Sequence, residues 1–484
     1  MAASKSRRGA ESTRAGSAQL IPQTLSAFLQ TRLRPGQRLC VGLSGGIDSV
    51  VLLHALDGLR AAAVAFDLSA VHVHHGLSAN ADRWAAFCEE FCRRREVPLV
   101  VRRVAVPLAS REGLEAAARR ARHAVFAGCA ADWLALAHHR DDQAETVLFR
   151  LLRGAGVAGA AGMSAERAQP GGPRLIRPLL EIARPVIARY AEEHALAWIE
   201  DESNADQRHR RNYLRRQVMP DIEERFPGAA SALVRAARHF AEAGELLDEL
   251  ARADRAALAS AHGRIDLARF NALSSPRARN LMRFELRAAG FRAPETRWLD
   301  EALRQLASVG AASQTCVATP DGEVHAYRNE LYVVRQRQAL PPVALPWRGE
   351  AVLSWGGDRL SFVRTVGAGL SAGQLAGAAV CLRTRRGGER LQPDPRRPGR
   401  SLRNLLQEAA VPPWERARLP LLWCDERLAW VGGLGGDAAF ACAPGEEGLE
   451  VVWEVGGGAG GAGGAGGAGG AGGLSPAARA RSSD

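Results

Sequence analysis

The sequence predicts an α/β fold with a doubly wound parallel sheet, followed by a mainly helical domain and a small α+β C-terminal domain. In the first part of the chain, short apolar runs alternate with amphipathic helical segments, a pattern typical of parallel sheets. After about residue 228, Ala-rich helical patterns and then short runs broken by Gly and Pro replace it. We expect these segments: a disordered basic arm (1–18), the α/β domain (19–228), the helical domain (229–345), the C-terminal domain (346–455) and a disordered Gly/Ala-rich tail (456–484).

Four strands with intervening helices are predicted in the α/β domain. Ligands of such folds bind at the carboxyl ends of the strands, where the chemically suggestive residues of this chain fall. The predicted strands cover 39–43, 69–74, 98–104 and 133–137, and the helices cover 48–59, 82–94 and 112–130.

The amino-acid composition limits the kinds of binding partner and of catalytic chemistry that the chain can have. The net charge of +12 favours a polyanionic partner. The basic residues are nearly all arginine, since Lys5 is the only lysine, which excludes a Walker-type phosphate lysine and a Schiff-base lysine. The 8 cysteines include no C-x-x-C pair, so we expect reduced thiols without a zinc or iron–sulfur site. No apolar run approaches the roughly 20 residues that span a bilayer, and we expect a cytoplasmic protein with no membrane partner.

The sharpest local signal is the run LSGGIDSVVLLHAL (43–56). A strand ends at Leu43, a Gly-rich turn follows, and a helix begins near Asp48. Glycines let the backbone approach an anion, and a helix N-terminus directs free N–H groups at it. Asp48 could cap the helix or hold Mg²⁺, and the alternative is an ordinary strand–turn–helix with a capping aspartate. The candidate phosphate-binding residues are Ser44, Gly45, Gly46, Ile47, Asp48 and Ser49.

A second cluster follows the fourth predicted strand, in the run HHRDDQAET (138–146). On a helix starting near Asp141, the side chains of Asp142 and Glu145 are neighbours, and so are those of Asp141 and Glu145. Helix capping explains some of these acids. Three acids beside His138 and His139 exceed what capping requires, so we predict a site for Mg²⁺ or for a cationic substrate.

The SGGIDS run resembles the pyrophosphate loop (PP-loop) of the N-type ATP pyrophosphatases. The resemblance implies that ATP is cleaved between its α- and β-phosphates and that a substrate oxygen is adenylated. Several further runs follow in a characteristic order: VHVHHGLS (71–78), EAAARRARHAVF (115–126), HHRDDQAETVLFRLLRGAGVAG (138–159), RPLL (177–180), DESNADQRHRRNYLRRQVMP (201–220) and 383–422. By these runs the chain resembles the tRNA(Ile)-lysidine synthetase family within that group.

That resemblance implies formation of lysidine at the wobble cytidine of an isoleucine tRNA with the anticodon CAU, from free L-lysine and ATP with Mg²⁺. It implies catalytic roles for Asp48, Asp142, Glu145, Arg211 and Arg215, and metal binding by Asp48 and Asp142. Asp142 or Glu145 would bind the cationic amino acid or accept its proton, and the residues alone do not assign these roles. The arginines would meet tRNA phosphates or charge developing on the α-phosphate, unless they lie on a solvated helix face. A homodimer is a possible state that the sequence does not test.

Two other functions fit parts of the pattern. A PP-loop tRNA thiolation enzyme is disfavoured because such enzymes use C-x-x-C pairs. A non-catalytic RNA-binding protein with a nucleotide fold is disfavoured by the intact Ser44, Asp48 and Asp142.

The C-terminal domain is expected to bind tRNA phosphates away from the chemistry. Trp414, in the same stretch, either stacks on RNA or packs in a core. The basic residues concerned are Arg383, Arg385, Arg386, Arg390, Arg396, Arg397, Arg400 and Arg403.

Overall fold

The structure is a computed structural model, and the chain divides into two compact units, Met1–Leu247 and Asp248–Asp484. The predicted basic arm (1–18) and Gly/Ala-rich tail (456–484) lie outside the described residues. No helix in the described part of the chain is both long enough and apolar enough to cross a membrane. The described residues are 19–62, 66–107, 113–169, 171–200, 202, 210–308, 314–336, 340 and 343–455.

The first unit is built on one six-stranded sheet. Its strands are β1 (Arg38–Gly42), β2 (Asp67–His74), β3 (Leu99–Arg103), β4 (Trp133–Ala135), β5 (Glu166–Arg167) and β6 (Arg174–Ile176). The spatial order is β3-β2-β1-β4-β6-β5, and every pairing is parallel except that of the edge strand β5 with β6. The strand order therefore reverses between β1 and β4, where a doubly wound sheet opens a crevice at its carboxyl edge.

Helices connect these strands as the sequence predicts. They are α1 (19–30), α2 (Ile47–Ala62), α3 (Ala81–Arg93), α4 (Leu114–Ala127), α5 (Arg140–Leu151), α6 (Val157–Ala160), α7 (Arg184–Glu193), α8 (Arg210–Tyr213) and α9 (Met219–Arg225). A π-helical turn, Leu214–Val218, separates α8 from α9. The main core of the unit includes fully buried residues of β1 and α2, such as Leu39, Val41, Leu53 and Leu56. The predicted doubly wound α/β fold is confirmed.

The long helix α10 (Ala229–Ala257) contains the division between the units. In the second unit, α11 (Leu267–Asn271), α12 (Ser275–Ala288) and α13 (Thr296–Ala307) accompany a four-stranded sheet in the order β7-β10-β9-β8. The predicted helical region is present, and the structure adds this small sheet to it. The four strands are β7 (Ile265–Asp266), β8 (Thr315–Thr319), β9 (Gly322–Tyr327) and β10 (Glu330–Arg335).

In the C-terminal part of the second unit, most of the regular elements are strands. A five-stranded sheet (β11-β15-β18-β19-β20), a four-stranded sheet (β12-β13-β21-β14) and the pair β16-β17 share it with short helices. Its strands are β11 (Ala344–Pro346), β12 (Val352–Trp355), β13 (Asp358–Val366), β14 (Leu370–Ser371), β15 (Val380–Arg383), β16 (Arg390–Leu391), β17 (Arg400–Ser401), β18 (Leu421–Cys424), β19 (Arg427–Val431), β20 (Gly435–Gly436) and β21 (Glu447–Glu454). Its helices are α14 (Ala372–Ala376), α15 (Leu402–Glu408) and α16 (Pro413–Arg416). The predicted domain limits at residues 228 and 345 stay a prediction.

An ion pair between buried Asp254 and half-exposed Arg277 fastens α12 to α10. Asp254 of α10 is 1% exposed and accepts a hydrogen bond from Nε of Arg277 at 3.2 Å. Arg279 lies two positions further along α12, and its Nε donates to Asp300 Oδ1 at 2.7 Å. In that pair both side chains are substantially exposed. A buried charge that loses its partner is costly, whereas a solvent-exposed pair contributes little.

We therefore expect Arg277→Ala to destabilise the second unit, because the variant leaves the buried carboxylate of Asp254 without its partner. The matched variant Arg279→Ala should cost less than about 1 kcal/mol. Urea unfolding followed by circular dichroism would give both midpoints, and equal shifts would mean that Asp254 does not depend on Arg277.

Candidate active site

The Gly-rich turn between β1 and α2 is held in shape by its own side chains. The amide of Ser44 donates to Ser49 Oγ at 3.2 Å, and the two hydroxyl oxygens lie 3.1 Å apart. Ser49 Oγ in turn donates to the carbonyl of Gly46 at 2.9 Å, and the Gly46 amide donates to Ser44 Oγ at 3.3 Å. Both serines thus act first as scaffolding of the loop, and Ser44 is also exposed to a ligand.

Gly45 is the position at which this turn requires glycine. Its φ is +88°, and a Cβ there would lie 2.5 Å from Cδ1 of Ile199. Its carbonyl accepts a hydrogen bond from the Ile199 amide at 2.9 Å. Gly46 differs, since the nearest atom to a Cβ there is Ser44 Oγ at 3.5 Å. Gly45 therefore shapes the backbone, whereas Gly46 leaves open space beside the helix N-terminus.

The loop offers unused hydrogen-bond donors. Within the described residues, the amides of Gly45, Ile47 and Asp48 donate to no acceptor. Ile47 and Asp48 begin α2, a helix of 16 residues, so the helix dipole points toward the same place. The arrangement suits an anion with several oxygen atoms.

Asp48 lies next to the start of α5. Its Oδ1 is buried without a hydrogen-bond partner in the described part of the protein and lies 3.7 Å from Nε2 of His139. Burial raises the pKa of Asp48, although His139 opposes the shift. An orphaned carboxylate oxygen of this kind fits a cation.

His139 forms a capping box at the start of α5. It is 3% exposed, its Nδ1 accepts from the Asp142 amide at 3.4 Å, and Asp142 Oδ2 accepts from the His139 amide at 3.2 Å. The sequence noted His139 beside the acids but gave it no role. The structure shows that it lies between Asp48 and Asp142, at 3.7 and 3.4 Å from their carboxylates, and so brings the two motifs together.

Arg215, on the π-helical turn, bridges Asp142 and Glu145. Its Nη2 lies 2.5 Å from Asp142 Oδ1 and 3.0 Å from Glu145 Oε2, and its Nε lies 2.7 Å from Glu145 Oε1. The Glu145 side chain is 7% exposed, the Asp142 side chain 18%. Arg211, one turn earlier, donates to the hydroxyl of buried Thr146 at 2.9 Å instead.

The pKa values of Asp142 and Glu145 are shifted in opposite directions. Burial raises the pKa of Glu145, and the contact with Arg215 reduces that shift. For Asp142, burial acts in the same direction but is outweighed by His139 and Arg215, so that its pKa is lowered. Neighbouring acids whose pKa values separate in this way can take different roles in one reaction.

Three further polar residues near the site make contacts that support the surrounding elements. Asp141 accepts a hydrogen bond from the Arg184 amide at 3.0 Å and so ties α5 to α7. His72 Nδ1 lies 2.9 Å from the Leu43 carbonyl and supports the strand that leads into the loop. Arg177, in the RPLL run, is buried and donates to His138 Nδ1 at 3.3 Å. That run marked the arginine in the sequence, but nothing there indicated its partner.

His138 is neutral over the physiological range because burial lowers its pKa to about 3. Neutral imidazole carries one proton, so acceptance at Nδ1 from Arg177 leaves the proton on Nε2. His138 can therefore serve as a fixed hydrogen-bond donor beside the acidic cluster.

Comparisons with known proteins match three parts of the chain to known domains. Residues 18–222 match the PP-loop domain, residues 265–332 the TilS substrate binding domain and residues 380–453 the TilS substrate C-terminal domain. The chain is 48% identical to a tRNA(Ile)-lysidine synthase of Aromatoleum aromaticum over 421 residues, which cover 87% of this chain and 98% of the relative.

The chain belongs to the tRNA(Ile)-lysidine synthase family. Two further members support the assignment, from an Azoarcus species (44% identity, 87% of this chain and 92% of the relative) and from Nitrosomonas europaea (42% identity, 88% and 93%). The part of this chain that matches the PP-loop domain, residues 18–222, contains both the Ser44–Ser49 turn and the Asp142–Glu145–Arg215 contacts.

The two glycines of the loop make a matched pair of variants. Gly45→Ala should lower the melting temperature, because positive φ and the contact with Ile199 strain the substituted backbone by about 1–2 kcal/mol or more. Gly46→Ala should leave the melting temperature nearly unchanged and weaken nucleotide binding, because its methyl group enters the open space. Thermal melts and ATP titrations of both variants test this, and a stable Gly45→Ala protein would contradict it.

Proposed function

We propose that this protein uses ATP to join free L-lysine to C2 of the wobble cytidine of the CAU-anticodon isoleucine tRNA, forming lysidine and releasing AMP and pyrophosphate. The observation that carries the proposal is the meeting, at buried His139, of an anion-binding turn and a pair of buried acids held by an arginine. It is supported by family relatives named tRNA(Ile)-lysidine synthase. A cytoplasmic location and a homodimer stay predictions.

The first step must turn a poor leaving group into a good one. The O2 oxygen of cytosine attacks the α-phosphorus of ATP, an O–P bond forms, and the bond to the β-phosphate oxygen breaks. The departing pyrophosphate carries the charge that the free amides of Gly45, Ile47 and Asp48 are oriented to stabilise. Since these donors are fixed before the reaction, little reorganisation is needed when the charge develops.

The second step needs a neutral amine. Lysine's side-chain ammonium has an ordinary pKa near 10.4 and must lose a proton before attack on C2. The amine then forms the C–N bond, and AMP leaves with the former O2 oxygen. We assign Asp142, whose pKa is lowered, to holding the ammonium group, and Glu145, whose pKa is raised, to receiving its proton.

Arg215 would then regulate access to both acids. Its guanidinium contacts the carboxylate oxygen atoms of Asp142 and Glu145 that a lysine ammonium would also contact. Binding of lysine therefore requires Arg215 to share or release Asp142, which would free its guanidinium for a phosphate oxygen. Arg211 keeps its assignment to tRNA phosphate or to the α-phosphate.

Mg²⁺ fits this site through Asp48. Among the described residues, neither Asp48 nor Asp142 belongs to a three-residue metal-ligating group, so phosphate oxygens and water would complete the coordination, as is usual for Mg²⁺. Asp142 could join only by yielding its contacts with Arg215 and the His139 amide. When bound, the ion would neutralise charge on the departing pyrophosphate.

The decisive experiment is mass analysis of nucleosides after incubation with ATP, lysine and unmodified tRNA. We expect a cytidine that has gained lysine with loss of water, together with equal amounts of AMP and pyrophosphate. ADP and phosphate, or a thiolated nucleoside, would overturn the proposal, and tRNA binding without any of these products would favour a non-catalytic RNA-binding protein.

The separate roles of the two acids lead to a kinetic prediction. Asp142→Asn should raise KM for lysine by tenfold or more (about 1.4 kcal/mol), because a charge-assisted contact is lost. Glu145→Gln should mainly lower kcat, by roughly a hundredfold. Steady-state kinetics with varied lysine test this, and equal effects of both variants on KM and kcat would contradict the assignment.

The pH dependence of kcat gives a further check on Glu145. A base must be unprotonated to accept a proton, so kcat should fall as the pH drops through the raised pKa of Glu145. In Glu145→Gln this acidic limb should disappear. If kcat of Glu145→Gln still falls at low pH as in the wild type, another titrating group causes that fall.

The arginines of the C-terminal part are not equivalent. Arg385, Arg397 and Arg400 pair with Glu389, Asp394 and Glu408. Arg383 lies 3.7 Å from Glu426, and Arg390 donates to the Gly399 carbonyl. The side chains of the three others are exposed and have no partner in the described part of the chain, so they are the stronger candidates for phosphate contacts: Arg386, Arg396 and Arg403.

Replacing Arg386, Arg396 and Arg403 together by Glu should weaken tRNA binding and flatten its salt dependence. Each lost duplex-phosphate contact should reduce the log–log slope by roughly 0.9. The triple lysine variant is the control, because it keeps the positive charges and should keep most of the slope. ATP affinity should not change in either protein, and identical slopes for wild type and the glutamate variant would exclude this surface.

A further inference from the structure

Trp414 of α16 lies against the aromatic face of another part of the second unit. Its ring stacks on that of His325 with centroids 3.9 Å apart and an interplanar angle of 16°. The rings of Tyr332 and Tyr327 meet it edge-on, at 5.1 and 5.8 Å. His325 and Tyr332 are 4% and 7% exposed, so this is a packed contact between β9, β10 and α16.

Polar contacts surround the aromatic cluster. Arg416 Nη2 lies 3.3 Å from Tyr327 Oη, and its Nε donates to the Val411 carbonyl at 2.8 Å. Arg328 Nη2 donates to the Gln407 carbonyl, in the last turn of α15, at 2.7 Å. A cation at the C-terminal end of a helix is favoured by the helix dipole.

The turn between β9 and β10 is shaped for this contact. Arg328 and Asn329 have φ values of +51° and +59°, the conformation of a tight hairpin turn. Asn329 bonds the start of α11 through its carbonyl and its side chain. The bonds from Asn329 to α11 therefore fix the backbone of the turn, while the Arg328 side chain extends from its own sheet to α15.

The segment around Trp414 is fastened equally well to the C-terminal sheets. Nε1 of Trp355, at the end of β12, donates to the Arg418 carbonyl at 2.8 Å. Arg418 Nη2 donates to the Gly356 carbonyl at 3.1 Å. Residues 411–418 thus connect the β7–β10 sheet to the C-terminal part, and we call this segment the Trp414 joint.

The joint connects two regions that match the family's two substrate domains. His325, Tyr327 and Tyr332 lie in the part matched to the substrate binding domain, and Trp414 lies in the part matched to the C-terminal domain. We propose that Trp414 is a positioning residue that holds these two regions in one rigid arrangement, so that a single tRNA is gripped by both at once. This proposal rests on the proposed function, since it takes tRNA as the ligand.

Direct stacking of Trp414 on RNA is the other role that its neighbouring arginines suggest. One ring face is already covered by His325, and Nε1 is buried with no partner among the described residues. The rings of Tyr327 and Tyr332 also meet the indole, so three protein rings contact it. We therefore assign the effect of Trp414 on RNA binding to protein geometry, and the comparison of ligands below separates this effect from direct base stacking.

The physical consequence is a difference between long and short ligands. When two binding surfaces are held together, the second contact forms at a high effective concentration, and loosening the connection removes that gain. A tRNA that spans both surfaces should lose affinity when the joint is loosened. An isolated anticodon stem–loop, which is too short to span them, should not.

The test compares full-length unmodified tRNA with its anticodon stem–loop as ligands of the full chain. For Trp414→Ala we expect affinity for the tRNA, and its KM, to worsen by about tenfold or more. Stem–loop affinity, the KM for lysine and kcat at saturating tRNA should stay near wild-type values. Trp414→Phe should restore most of the tRNA affinity, because a ring still stacks on His325.

Trp347→Ala is the matched control. Trp347 is also a partly buried tryptophan of the C-terminal part, stacked on Phe362 with centroids 4.9 Å apart, but it is not in the joint. It should leave the ratio of the two affinities unchanged. Equal weakening of tRNA and stem–loop by Trp414→Ala, or no weakening of either, would overturn the proposal.

A milder variant keeps the proposal testable if Trp414→Ala does not fold. Tyr327→Phe removes only the hydroxyl that meets Arg416 and should reproduce the same pattern with a smaller effect. In the Tyr327→Phe variant without tRNA, backbone hydrogen exchange should be faster than in the wild type over residues 325–332 and 402–416. Exchange in β1–β4 should remain unchanged. A wild-type protein that binds tRNA but makes no lysidine would refute the proposed reaction and leave the joint to be judged by the affinity ratio.

Discussion

One guanidinium holds the candidate active site together. Asp142 and Glu145 lie on neighbouring positions of α5, largely buried, and two unpaired carboxylates there would repel each other and lose their hydration. Arg215 satisfies both, with contacts of 2.5 and 2.7 Å. The acids, the capping box of α5 and the π-helical turn that carries the arginine consequently depend on one another.

The same constraint gives the site its chemistry. Because Arg215 and His139 favour the ionised form of Asp142 while burial favours the protonated form of Glu145, two similar side chains acquire different proton affinities. The anion-binding turn is prepared in a different way, by hydroxyl groups that fix its shape and leave its amides free. An acidic site and an anion site can lie side by side because buried His139 separates Asp48 from Asp142.

In the second unit, the spacing between surfaces is the feature that bears on tRNA binding. Its arginine-rich strands could attract any polyanion, and charge alone selects no particular tRNA. Selection improves when separate surfaces keep a fixed spacing, which the aromatic contacts of Trp414 and the bond from Arg328 to α15 supply.

The sequence by itself determined the parallel α/β fold, the Gly-rich turn before α2 and the acids at the start of α5, because these features are written in local spacing and alternation. It also determined that Gly45 and Asp48 belong to one turn. Only the tertiary structure decided that Arg215 meets Glu145, from which it is separated by 70 positions in the chain, and that Arg177 meets His138, at a separation of 39. It likewise decided which C-terminal arginines are already paired and that Trp414 faces protein aromatics. Such partners are chosen by long-range packing, in which burial requires each charge and each ring to find a complement, and no periodicity in the sequence records that choice.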